Sequence, residues 1–219
     1  MSGLSIWTLI SILCFIPAIV IHECAHGFVA YKLGDPTASK AGRLTLNPVK
    51  HIDPFGTVIL PLILAVTGLP VFGYAKPVPY NPTYFKNIRV GELLTGLAGP
   101  ISNFIMALVG AAVGYAFYAG ASGDVAYWGL NIAFYFSLIN LFLMFFNLIP
   151  IPPLDGSCII AFFLPDKALE KYYSIQRYAM PILLVVLIAV PYVAQVNPIS
   201  VYLNHTAFAL GQFLFGFAM

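Results

Sequence analysis

Between Leu93 and Gly123 the chain carries no Asp, Glu, Lys or Arg, and the same is true of Val125–Leu154, Leu4–Ile21 and Tyr178–Met219. A helix needs about 20 apolar residues to cross a bilayer. The first two of these stretches each hold one span, and the last is long enough for two, with a break around Gln195–Pro198. Only 8% of the 219 residues are charged and 60% are hydrophobic, with a mean hydropathy of +0.90. A soluble domain carries roughly 25% charged residues. These figures exclude a water-coated globule and make lipid the natural solvent. The net charge of +2 comes without a basic run, so nucleic acid is not expected as a partner. The expected fold is an all-α polytopic membrane protein of about six transmembrane helices. Leu4–Ile21 lacks the basic flank and small-residue cleavage site of a signal peptide, so it is read as a retained span.

Helix 1 is expected over Leu4–Leu33, stopped by Gly34 and Asp35-Pro36, with Pro17 as a possible kink. Gly42–Leu46 alternates like a short strand. Phe55–Leu69 is apolar but short for a span, and reads as a broken helix or a re-entrant segment. Residues 70–90, rich in Pro, Gly, Tyr and Lys, read as loop or hairpin. A small membrane-associated β segment is therefore expected between helices 1 and 3. Helix 3 is expected at about 91–120, helix 4 at about 125–148, and two C-terminal helices within 178–219. Residues 1–219 read as one domain, with a core at about 4–177.

Charge placement bears on orientation. All ten Lys and Arg fall in three loops. Lys32, Lys40, Arg43 and Lys50 follow helix 1; Lys76, Lys86 and Arg89 precede helix 3; Lys167, Lys171 and Arg177 follow helix 4. If Phe55–Leu69 dips in and returns, all three share one side, which the positive-inside rule makes cytoplasmic. The N-terminus is then outside, in a cell membrane.

The chemistry sits at the end of helix 1. His22-Glu23-Cys24-Ala25-His26 places two histidines at i and i+4 on one helix face, where both imidazoles reach one metal. Glu23 is placed to take a proton from a water on that metal. His22 lies roughly 27 Å along the helix from Leu4, near the edge of a hydrocarbon core about 30 Å thick. Ionisable side chains in such a segment are costly and usually functional. A catalytic zinc site needs a third protein ligand and an open position. His51, His205 and the five aspartates are candidates, and Asp155 stands out. It follows helix 4 in Asn147-Leu148-Ile149-Pro150-Ile151-Pro152-Pro153-Leu154-Asp155-Gly156. The topology above puts it at the same depth and side as His22 and His26. Cys14, Cys24 and Cys158 lack a zinc-ligand spacing and read as small buried hydrophobes.

These motifs resemble the site-2 protease family of intramembrane zinc metalloproteases, in its compact prokaryotic form without a PDZ domain. HExxH matches at 22–26, NxxPxPxLDG at Asn147–Gly156, and GPxxN at Gly99-Pro100-Ile101-Ser102-Asn103. Gly42–Pro48 and Phe72–Pro79 are also similar to that family. The resemblance implies that His22, His26 and Asp155 bind one Zn2+ per chain and that Glu23 is the catalytic base. It implies that Asn147, and similarly Asn103, orients substrate or the oxyanion. The implied substrate is a transmembrane protein or peptide cut within the bilayer, held as an unwound strand on the β segment by edge addition.

Asn140 and Asn147 lie seven residues apart and share a face. For Asn140 and Asn131 the expected role is interhelical packing. His51 reads as an interfacial polar residue, and His205 as a hydrogen-bonded packing histidine. Two other functions suit a polar membrane bundle: a metal transporter and a catalytically inactive, membrane-binding relative. Transport leaves Glu23 between metal-spaced histidines unexplained, and the intact His22, Glu23, His26 and Asp155 argue against inactivity.

Overall fold

The computed structural model describes residues 6–66, 73–176 and 178–218. Leu4, residues 67–72 with the end of the Phe55–Leu69 expectation, Arg177 and Met219 lie outside them. Three long apolar helices make the frame: α1 (Ile6–Lys32), α4 (Ile88–Gly120) and α5 (Gly123–Asn147). Shorter ones are α2 (Thr37–Lys40), α3 (Leu60–Val66), α6 (Ser157–Phe163), α7 (Asp166–Gln176), α8 (Ala179–Leu184), α9 (Val190–Ala194), α10 (Pro198–Leu203) and α11 (Ala209–Leu214). Asn87 opens α4 by accepting a hydrogen bond from Val90 N–H, a side-chain cap for an otherwise orphaned donor.

α4 is the central element, packed against both α1 and α5. Its buried face is built of small residues, including Ala98, Gly99, Ala107, Gly110, Ala111 and Gly114. Small residues let helix backbones approach closely where lipid supplies no hydrophobic drive. Ala107 packs with Leu141, Met144 and Ala207, and Ala111 with Ala133 and Phe215. The outward faces stay apolar: Leu9, Ile12 and Leu13 on α1, and Ile101, Ile105 and Val109 on α4, are exposed. Apolar outsides around a core that includes the buried polar residues Thr95, Asn103, Ser137 and Asn140 are those of a multi-pass membrane protein.

The expectation of about six spans is corrected. Among the described residues three helices are long and apolar enough to cross, or four if the bent pair Asp166–Gln176 and Ala179–Val193 counts as one span. The C-terminal stretch is helical, with π-helical turns at Val185–Ala189 and Asn204–Phe208, and is broken before Pro198. Each uninterrupted run is too short to qualify. The described part of the Phe55–Leu69 segment is helical, π-helical over Pro54–Ile59 and α-helical over Leu60–Val66. Its 54–66 length at 1.5 Å per residue gives roughly 20 Å, short of a core about 30 Å thick.

The β segment is also corrected: the described residues contain no strand. At Gly42–Leu46 the chain turns instead. Gly42 has φ +63°, and Arg43 N–H bonds back to Ala38 O at 2.9 Å. Residues 73–80 form no regular element, and their donors go to separate partners. Tyr74 N–H bonds Gly56 O, Lys76 N–H bonds His51 O, and Val78 N–H bonds the Glu23 side chain. Pro77 and Pro79 contribute no N–H. A ladder needs one neighbouring strand to supply successive partners, and none does so here.

Asp35 ties this segment to the end of α1. Its carboxylate is fully buried and accepts from Thr37 N–H at 2.9 Å, Thr37 Oγ1 at 2.5 Å and Asn81 N–H at 2.6 Å. Burial alone would raise its pKa, but these hydrogen bonds outweigh burial and hold it below the ordinary value. A depressed carboxylate stabilises the fold above its unfolded pKa of about 3.9, and that stability is lost as pH falls through the folded value. Asp35→Asn is expected to lower unfolding stability in detergent by about 1–3 kcal/mol at neutral pH. The wild-type chain should lose that advantage over the variant on acidification, read by thermal unfolding at stepped pH.

Candidate metal centre

His22 and His26 project from one face of α1 toward α4, with rings 4.7 Å apart at 84°. Asp155 reaches the same point from the loop after α5. That loop folds back on the helix end, because Gly156 N–H donates to Asn147 O at 2.6 Å. A Cβ at Gly156 would lie 2.5 Å from the Leu148 carbonyl carbon, so glycine permits the turn that brings Asp155 inward. The ligating atoms of His22, His26 and Asp155 all lie within 4.8 Å of one another. His22 Nε2 is 3.1 Å from His26 Nε2 and 3.1 Å from Asp155 Oδ2, and His26 Nε2 is 3.4 Å from that oxygen.

Hydrogen bonding behind the rings decides what these atoms are. His26 Nδ1 lies 2.7 Å from Thr95 O. A backbone carbonyl only accepts, so the proton sits on Nδ1, and a neutral ring then turns a lone pair outward from Nε2. His22 Nδ1 lies 2.6 Å from Asn103 Oδ1, with the same consequence. Asp155 Oδ2 is buried with no hydrogen-bond donor. Three electron-rich atoms thus face one another, an arrangement that calls for a cation. A tetrahedral zinc with bonds near 2.0–2.1 Å separates its donors by about 3.4 Å, close to the separations seen. Two imidazoles and a carboxylate also suit zinc chemically. Imidazole N–H groups bonded to outer acceptors are the usual support for such ligands.

Glu23 lies beside the three. Its Oε2 accepts from Val78 N–H at 2.9 Å, so the 73–80 segment holds the carboxylate against the site. A cavity of about 860 Å³ opens over the metal-binding group. Glu23, Asn147 and Glu92 line it with His22, His26 and Asp155, and its apolar wall includes Phe15, Phe142 and Leu183. Asn147 donates one Nδ2 hydrogen to Leu143 O at 3.0 Å, which leaves its other N–H available to the cavity. Asn103 is placed differently. It is fully buried, with Oδ1 on His22 and Nδ2 on Ala18 O and Asn140 Oδ1. It stands behind the histidine and does not line the cavity.

His205 bonds Val201 O on its own helix at 2.9 Å, and His51 bonds Thr45 O at 2.8 Å; neither belongs to the group. The three cysteines are free thiols. Sequence reasoning missed Thr95 and Val78, which act through backbone atoms and leave no side-chain signal. Gly99 suits close helix contact by its residue type, and the structure shows what it contacts. A Cβ there would lie 2.5 Å from His22 Cε1 and overlap His26 Nε2.

A helical membrane bundle with a His–His–Asp group and a flanking glutamate defines the class of intramembrane metallopeptidases. Residues 118–190 match the family model "Peptidase family M50". The chain is 39% identical over 180 residues to "Putative zinc metalloprotease YwhC" of Bacillus subtilis, covering 81% of this chain and 79% of that protein. It is 33% identical over 140 residues to "Putative zinc metalloprotease Rip2" of Mycolicibacterium smegmatis, covering 64% of this chain and 51% of that one. It is 30% identical over 161 residues to "Zinc metalloprotease MJ0392" of Methanocaldococcus jannaschii, covering 74% and 36%. The chain thus spans about half of the Rip2 protein and about a third of the archaeal one. No solved structure matches it. The chain belongs to peptidase family M50, the site-2 protease family.

Gly99→Ala should push α4 away from both imidazoles. The expected outcome is a folded protein whose zinc affinity falls about 10-fold or more, in the range seen when the supports of a ligand are lost. Chelator competition on the detergent-solubilised protein checks this, with circular dichroism reporting the fold.

Proposed function

We propose that this chain is an intramembrane zinc endopeptidase that hydrolyses peptide bonds in or near transmembrane segments of other membrane proteins. The observation that carries the reading is the convergence of His22 Nε2, His26 Nε2 and Asp155 Oδ2 beside Glu23 at one cavity. In this reading residues 1–219 act as one domain, with the catalytic core at about 4–177. His22, His26 and Asp155 hold one Zn2+. Bound there, the ion would supply Lewis acidity to a carbonyl or a water at neutral pH.

Glu23 is the general base. With Oε2 held by Val78 N–H, its Oε1 takes the proton of the attacking water and later hands it to the leaving amine. Asn147 offers its free N–H to the oxygen that gains charge. Asn103 works from behind His22, so the oxyanion role falls to Asn147 alone. The apolar cavity walls suit an unwound, hydrophobic substrate segment. Residues within 73–80 line the same cavity and offer that segment backbone for pairing, although Tyr74 O and Lys76 O already accept from Thr57 and Arg43. The metal-transporter alternative has no observation in its favour, and membership of a peptidase family weighs against it.

The same reading places the site on the cytoplasmic side of a cell membrane. The ends of α1 and α5 and the start of α4 carry or adjoin the three basic loops, and the metal-binding group lies toward those ends. Cleavage is then expected in the cytoplasmic third of a substrate helix. A reporter fused within 120–124 should be found outside; a cytoplasmic signal there would reverse the orientation.

Glu23→Gln is expected to keep zinc at wild-type stoichiometry and to lose cleavage of a reconstituted transmembrane substrate. Removing one general base costs about 10²–10⁴-fold in rate. Asp155→Ala is expected to lose zinc as well as activity. Undiminished cleavage by the first variant would sink the mechanism, and unchanged metal content in the second would sink the ligand assignment.

A further inference from the structure

We propose that Asn140, acting through Asn103, sets the tautomer of His22 and so turns its Nε2 lone pair toward the metal-binding group. The inference rests on the reading of His22 as a zinc ligand. Asn140 and Asn103 are positioning residues in this account, since neither lines the cavity.

The direction of the relay follows from two backbone carbonyls. Asn140 places its amide 2.9 Å from Phe136 O. That oxygen only accepts, so the Asn140 group facing it is Nδ2 and not Oδ1. Asn140 Oδ1 therefore faces α4, where Asn103 Nδ2 donates to it at 2.9 Å. Asn103 Nδ2 also donates to Ala18 O at 3.3 Å, another oxygen that only accepts. Asn103 Oδ1 is then left facing His22 Nδ1 at 2.6 Å. An amide oxygen cannot donate, so the imidazole proton is on Nδ1. Every donor in the chain His22, Asn103, Asn140, Phe136 points the same way.

Reversal is opposed at two places. Flipping both amides would set Asn140 Oδ1 against Phe136 O and Asn103 Oδ1 against Ala18 O. Both asparagines are fully buried, where an acceptor–acceptor contact is costly. The relay crosses three helices, from α5 through α4 to α1, so it locks together the elements whose crossing makes the site. His26 needs no such device, because a backbone carbonyl orients it directly. An interhelical packing role for Asn140 would explain the bond to Asn103 but not the uniform direction of the chain.

The test uses the full chain in detergent and measures zinc affinity by chelator competition, with thermal unfolding alongside. His22→Ala, Asn103→Leu, Asn140→Leu and the double Asn103→Leu/Asn140→Leu variant are compared with wild type. Asn140→Leu should weaken zinc binding about 10-fold, at the low end of the range for ligand-supporting residues. Asn103→Leu should weaken it as much or more. The double variant should bind no more weakly than Asn103→Leu, because a relay fails once. An Asn140→Leu protein with wild-type zinc affinity and only a shifted unfolding temperature would overturn the relay. Additive losses in the double variant would overturn it too, since Asn140 would then act independently of Asn103. His22→Ala separates the two levels: if it keeps zinc, the ligand reading is wrong, whereas if it loses zinc while Asn140→Leu does not, only the relay is wrong. Should Asn140→Leu not fold, Asn140→Ala, which only removes atoms, is read in the same way.

Discussion

The close crossing of α1 and α4 at Gly99 is the contact on which the rest of the site depends. At that point α4 passes so near two imidazoles that a single added carbon has no room. The closeness lets α4 deliver Thr95 O and Asn103 Oδ1 to the Nδ1 atoms of His26 and His22. Those acceptors leave both Nε2 atoms unprotonated and facing Asp155. Move α4 outward, and the histidines lose their orientation before they lose their helix. The GPxxN motif thus has a plain physical content: Gly99 clears the space and Asn103, one turn on, fills the hydrogen-bonding role.

A second dependence runs through the segment at 73–81. Val78 N–H holds Glu23, and Asn81 N–H holds Asp35 just past the end of α1. One stretch of backbone therefore fixes both the carboxylate beside the metal-binding group and the exit of the helix that carries it. The segment can do this because its N–H groups are not spent on a β ladder. The absence of a ladder among the described residues is consistent with a segment that serves partners on several sides.

The membrane shapes what remains. Apolar side chains cover the outside of α1 and α4, so burial of apolar surface does little to bring the helices together. Small residues and buried polar contacts take over that task. Here the polar contacts converge: the Asn103–Asn140 bond joins α4 to α5, and Asn103 joins α4 to α1. The interactions that hold the bundle and those that orient the metal-binding group are largely the same ones.

The sequence by itself determined the long helices, because uncharged runs of that length have one stable form in lipid. It also marked His22, Glu23, His26 and Asp155, because HExxH on a helix and an aspartate in a proline-rich turn are local patterns with local consequences. The number of spans and the β segment were not legible. They depend on where the C-terminal helices bend and break, and on which distant acceptors capture the donors of residues 73–80. The interhelical role expected of Asn140 is present in its bond to Asn103, but nothing near it in sequence reveals that Asn103 is the partner. Only the tertiary structure decided the direction of each buried hydrogen bond, and with it which nitrogen of each histidine is free. That direction is set by backbone carbonyls on neighbouring helices, which leave no mark on the sequence.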